Sequence, residues 1–117
     1  MRYLLLIQKD EAKFNALPEA ERAKLVERYM AWGKKLAQTG KVRAGGILEH
    51  TDSATTVRVR DGKRIVTDGP FAETAEQVAG FVIIEAANLD EALEWASAHP
   101  DAEWASVEVR PLTPHSP

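Results

Sequence analysis

An α+β fold is predicted for this chain of 117 residues by three observations. Short apolar runs of strand character open the chain and recur along it, two longer segments carry helical periodicity, and an Asp-Gly pair separates two β-branched runs. Their order is strand, helix, strand, inserted hairpin, strand, helix, strand. A chain of this length suits one domain that buries about two thirds of its unfolded surface. The expected organisation is that domain over residues 1–112 and a Pro-rich tail over 113–117.

The first strand is Tyr3-Leu4-Leu5-Leu6-Ile7, a continuous apolar run that ends at polar Gln8-Lys9-Asp10-Glu11. Residues 18 to 39 form the clearest helix. Pro18 suits its first position, Glu19 and Glu21 suit the positive end of its dipole, and Gly40 suits the residue just past its end. Leu25, Tyr29, Trp32 and Leu36 fall on one face. Val42 to Leu48 reads as a strand, and its Gly45-Gly46 pair marks a bulge or a close backbone approach.

Thr55 to Arg60 and Lys63 to Thr67 flank Asp61-Gly62, the preferred pair for a type I′ hairpin turn. Gly80 to Ala86 is a further apolar strand. Asn88 and Glu91 match a capping box, with Glu91 reaching back to the cap, for a helix that turns Leu89, Ala92, Leu93 and Ala96 inward and ends near His99-Pro100. Trp104 to Arg110 reads as the last strand, and Pro111 to Pro117 as a closing loop.

Both helices then fit on one face of an antiparallel sheet, a ferredoxin-like plan with an inserted hairpin. Tyr3, Leu5 and Ile7 point to one face and Leu4 and Leu6 to the other; Phe81 and Ile83 oppose Val82 and Ile84 in the same way. Two central strands are therefore apolar on both sides. Homodimerisation through the open sheet face accounts for that pattern economically.

Composition excludes several classes. A net charge of −3 with interspersed signs offers no footprint for nucleic acid. The opening apolar run is too short for a membrane span or a signal segment, so a cytoplasmic place is expected. The absence of cysteine removes thiolate chemistry. Three scattered histidines lack metal-ligand spacing, and neither a nucleophile elbow nor a phosphate loop is present, so no metal and no cofactor is expected.

The segment DGPFAET (Asp68 to Thr74), with RYLLLI near the start, LDEALEWA in the second helix and SVEVRPL near the end, resembles the DGPF branch of the YCII-related family over nearly the whole chain. That resemblance implies a dimeric α+β barrel, a bacterial protein of undefined biochemistry and a link to sigma-factor or stress circuits. The wider superfamily implies cofactor-free action on small aromatic or lactone-like molecules. It also implies a His-Asp pair, the histidine on the first helix. Residues 18 to 39 contain no histidine, and His99-Pro100 stands where an Asp-Pro is expected. Ala75 stands where the branch usually has lysine.

Asp68 is the foremost candidate residue. Pro70 stiffens the segment, so the carboxylate either caps the turn or serves as a general acid or base with His50. Phe71, Pro70, Tyr29, Trp32, Arg58 and Glu73 are candidate pocket residues, although area burial alone explains the aromatic ones, Phe71 included. His99 has a sufficient structural role at a helix end, and His115 has none in the tail. Two functions follow. One is a homodimeric module that binds a small organic ligand or a partner near Asp68. The other is a cofactor-free hydrolase, isomerase or lyase that uses Asp68 and His50.

Overall fold

The computed structural model describes residues 1–114, so His115 and the end of the tail lie outside the described residues. The elements are β1 (Arg2–Asp10), α1 (Glu11–Ala16), α2 (Glu19–Gln38), β2 (Val42–Ile47), a single 3-10 turn (Thr51–Ser53), β3 (Thr55–Arg60), β4 (Lys63–Asp68), β5 (Glu76–Glu85), α3 (Leu89–Ala98), α4 (Asp101–Trp104) and β6 (Ser106–Pro111). The four strands β2-β5-β1-β6 form one antiparallel sheet, and β3-β4 is a separate ribbon. With the helices added, this is the expected ferredoxin-like plan with its inserted hairpin.

The period-two pattern of the central strands decides which side is covered. Tyr3 and Leu5 on β1 lie opposite Ile84 and Val82 on β5, and all four are buried together with Leu36 of α2 and Ala92 and Ala96 of α3. Burying a side chain such as Leu5 contributes about 1.5–3 kcal/mol. Leu4, Leu6, Phe81 and Ile83 share the other face and are only half-buried.

The glycine pair in β2 serves a close approach. A Cβ on Gly45 would sit 3.2 Å from the Phe81 carbonyl oxygen, and one on Gly46 would sit 3.2 Å from the Phe81 ring. Asp61 and Gly62 both have positive φ, as a type I′ turn requires. Asn88 caps α3 by accepting from the Glu91 amide at 2.9 Å.

Several sequence expectations are corrected. Leu89 and Leu93 are exposed, because α3 turns its alanines to the sheet and small side chains let helix and sheet approach closely. Glu91 reaches the Ala87 amide rather than the cap and pairs with Lys41. Pro18 is the cap residue of α2 rather than its first helical residue. Trp104 belongs to α4, and the last strand begins at Ser106. Helix α1 is not foreseen in the sequence pattern; it starts because the Asp10 carboxylate accepts from the Lys13 amide at 3.1 Å. Strand β5 begins at Glu76, ahead of the expected start at Gly80.

The body is unusually open. Its radius of gyration is 16.1 Å, against about 13 Å for a compact chain of this length. Its accessible surface is 8061 Å², roughly 1,700 Å² more than a monomer of its mass ordinarily shows. In the β3-β4 ribbon every residue of β4 and most of β3 are exposed. Val57, Val59 and Val66 share one of its faces and all are exposed. No helix among the described residues is long and apolar enough to cross a membrane.

Candidate functional site

A cavity of about 200 Å³ opens between α2, the β1-β5-β2 part of the sheet and the α3-α4 connection. Three of its wall positions, Gly33, Gly46 and Gly80, have no side chain. A Cβ on Gly33 would meet nothing within 4 Å, so this mid-helix glycine leaves space open. The register between β1 and β5 slips at Ile7/Gln8, leaving Ala79 as an extra residue on the cavity wall. Bulges of this kind often border functional sites. Alternation along β1 places Lys9 on the same side as Leu5 and Ile7, and both Ile7 and Lys9 line the cavity.

The polar groups converge from α2 and the α3-α4 connection. Asp101, the first residue of α4, is 1% exposed, and the Tyr29 hydroxyl donates to its Oδ1 at 2.5 Å. The Trp104 indole lies beside the same carboxylate and adds a further hydrogen-bond pull on it. Burial raises the Asp101 pKa, against the opposing pulls of the Tyr29 hydrogen bond, the Lys9 charge and the Trp104 indole. Burial, then the acceptor Asp101, push the Tyr29 phenol upward, so it stays protonated.

His99 is defined by its neighbours. The Asp101 amide donates to its Nδ1 at 3.0 Å, so the neutral ring carries its proton on Nε2. Burial, and then the charges of Lys9 and Arg28, hold its pKa down at about 4. Tyr29 stacks on the imidazole at 5.3 Å and Trp32 meets it edge-on at 4.7 Å. Trp32 is fixed in turn by donating to the Trp95 carbonyl at 2.9 Å. The Lys9 ammonium lies 4.1 Å from the centre of the Phe14 ring and 5.1 Å from that of Tyr29.

The residues singled out by sequence divide between this cavity and another part of the surface. Tyr29 and Trp32 line the cavity. Asp68 ends β4 and is exposed, and its carboxylate makes no hydrogen bond among the described residues. The turn is closed by backbone instead: Gly69 N–H donates to Ala54 O and Thr56 Oγ1 donates to Gly69 O, both at 2.7 Å. His50 is the exposed residue before the 3-10 turn. Pro70 and Glu73 border a separate depression with Asp10, Glu11, Thr51 and Asp52, where the Glu11 carboxylate is engaged by Thr51.

Phe71 is 80% exposed, so its expected burial within the chain does not occur; its carbonyl accepts from Arg58 at 3.3 Å. Among the described residues nothing covers the ring. Asp101, Lys9 and Gly33 were not anticipated. Gly33 was detectable as a helix-weakening residue without a local purpose. Asp101 follows the His99-Pro100 pair directly, so a carboxylate does stand beside the proline, one position after it. No cluster of three or more potential metal ligands occurs among the described residues.

Comparisons agree with this architecture. The chain is 39% identical over 121 residues to an uncharacterized protein of Rhizobium meliloti (strain 1021), covering 100% of this chain and 96% of the relative. Its fold is similar to that of 5-chloro-2-hydroxyhydroquinone dehydrochlorinase (TftG) from Burkholderia phenoliruptrix AC1100, solved in complex with 2,5-dihydroxybenzoquinone. That likeness has a TM-score of 0.55 at 16% identity and covers 97% of this chain and 94% of the other. The family model of the YCII-related domain matches residues 1–116, and the chain belongs to that family.

Proposed function

We propose that this protein binds a small single-ring organic molecule in the cavity beside Asp101 and moves a proton on it without a cofactor, as an isomerase or lyase. The observation that carries this reading is the buried Asp101 carboxylate, held by the Tyr29 hydroxyl on the wall of an apolar cavity. A carboxylate whose pKa is raised by burial is suited to general-base work near neutrality. A cavity of about 150 Å³ already accepts benzene, so 200 Å³ matches one ring with polar substituents. The structural neighbour, a dehydrochlorinase bound to a dihydroxybenzoquinone, lends support through its fold.

Substituted hydroquinones and hydroxyquinones are the first compounds to try, with turnover followed by absorbance and binding by thermal shift. Asp101→Asn is expected to keep binding and lose turnover. Equal turnover in the variant would overturn the assignment. Acid/base work by Asp68 and His50 would require a ligand at the DGPF turn instead, and Asp68→Asn would then be the inactive variant.

The working unit in this proposal is a cytoplasmic homodimer. The half-buried Leu4, Leu6, Phe81 and Ile83 give each protomer an apolar sheet face, and the ribbon adds the exposed Val57, Val59 and Val66. The excess surface of roughly 1,700 Å² is ample for a standard interface, which takes about 800 Å² from each partner. A place in a sigma-factor or stress circuit is supported by the sequence resemblance alone.

A further inference from the structure

We infer that the molecule held in this cavity is a planar oxyanion, a carboxylate, phenolate or enolate on a single ring, and that Lys9 selects it by charge. The inference rests on the reading of the cavity as a ligand site and adds the ligand's charge and the residue that reads it.

Lys9 is a half-buried cation with no ion-pair partner among the described residues. It is steadied only by the faces of Phe14 and Tyr29. A cation in partly apolar surroundings is costly unless an anion joins it. The one carboxylate on the cavity wall, Asp101, is not within ion-pair distance of it and has a phenol on one oxygen. His99 also lines the cavity, and its Nε2–H is a donor without a hydrogen-bond partner among the described residues, because Nδ1 already accepts from the Asp101 amide. Two donors, one of them charged, therefore await an acceptor bearing negative charge.

Flatness follows from the walls. The Trp32 and Tyr29 rings stand beside the imidazole, and Gly33 leaves a gap where a side chain would stand, since a Cβ there meets nothing within 4 Å. The Asp101 carboxylate suits a proton carried elsewhere on the same ring. A singly ionised hydroxy-substituted ring meets all of these groups at once, with its oxyanion at Lys9 and a hydroxyl at Asp101.

The test uses two isosteric probes, benzoate and benzamide, titrated into the wild type, Lys9→Met and Lys9→Arg at two salt concentrations. Binding is read by calorimetry and by the NMR signal of the Trp32 indole. Benzoate is expected to bind the wild type at least about tenfold more tightly than benzamide, the value of one charge-assisted contact. That preference should vanish in Lys9→Met, return in Lys9→Arg and weaken with added salt. Thermal unfolding of each variant confirms that the fold is intact. If both probes move the Trp32 signal with equal affinity, or if Lys9→Met keeps the preference, the charge assignment is overturned while the cavity remains a ligand site. If neither probe moves that signal at millimolar concentration, the ligand-site reading falls and the inference with it.

Discussion

The Tyr29 hydroxyl donates to the Asp101 carboxylate at 2.5 Å, and this contact ties the middle of α2 to the first residue of α4. Tyr29→Phe removes the donor and leaves a buried carboxylate with one partner fewer. Destabilisation of about 1–3 kcal/mol is expected in urea unfolding. The double variant Tyr29→Phe/Asp101→Leu should recover part of that loss, because no carboxylate then remains buried. A neutral Tyr29→Phe would show that solvent already serves Asp101.

His99 makes stability depend on pH. Its folded pKa, about 4, lies below the ordinary 6.5, so over that interval the unfolded chain binds a proton that the folded chain refuses. Stability is therefore full above the upper value and is lost as pH falls toward the lower one, with a slope approaching about 1.4 kcal/mol per pH unit. Asp101 acts in the opposite sense: its raised folded pKa adds stability as pH falls through that value. His99→Asn keeps an acceptor for the Asp101 amide and removes the imidazole. Subtracting its urea-derived stability from that of the wild type between pH 4 and 7 should isolate the histidine slope, and parallel curves would refute it.

Gly33 weakens α2 while keeping the cavity open. Gly33→Ala is expected to stabilise the protein by about 0.5–1 kcal/mol, since the new methyl meets nothing within 4 Å. Gly33→Leu should fill the cavity and abolish ligand-induced thermal shifts. Ligand shifts that survive in Gly33→Leu would place the binding site elsewhere.

The DGPF turn separates backbone from side chain. Gly69 has φ of 102°, which a Cβ disfavours, although the space around it is open. Gly69→Ala should destabilise by about 1–3 kcal/mol. Asp68→Asn should stay within about 0.5 kcal/mol, because the carboxylate holds nothing in place. A large loss of thermal stability in Asp68→Asn would revive the capping role.

Assembly can be tested on both apolar surfaces. Leu6→Arg on the open sheet face and Val57→Asp on the ribbon are each expected to shift the protein from dimer toward monomer in light scattering coupled to size exclusion. A wild type that runs as a monomer at high concentration would refute the dimer.

The sheet was legible because its central strands repeat with period two and its hairpin carries Asp-Gly. Local turn chemistry and burial patterning act over a few residues, and both are written in the chain. Tyr29 and Trp32 were legible as pocket candidates, but the cavity as a whole was not, because it joins Lys9 on β1, Tyr29 on α2 and Asp101 on α4, residues brought together only by the tertiary fold. His99 looked like an ordinary helix end, and only its contact with the Asp101 amide fixes which nitrogen carries the proton. The DGPF segment drew attention to Asp68, whereas its clearest structural demand falls on Gly69. Leu89 and Leu93 misled because apolar character says nothing about how far a helix is rotated when alanines can pack in their place.

The β3-β4 ribbon has a consequence for how the protein is made. Two strands alone in water are marginal, since each is paired on one side only. In a lone protomer the ribbon's ladder amides should exchange with solvent quickly while those around Leu5 and Ile84 stay protected. Raising the protein concentration should slow exchange in the ribbon alone. Under the proposed homodimer, folding of this chain would have two stages, a body that organises itself and an arm whose order is set by how many copies are nearby.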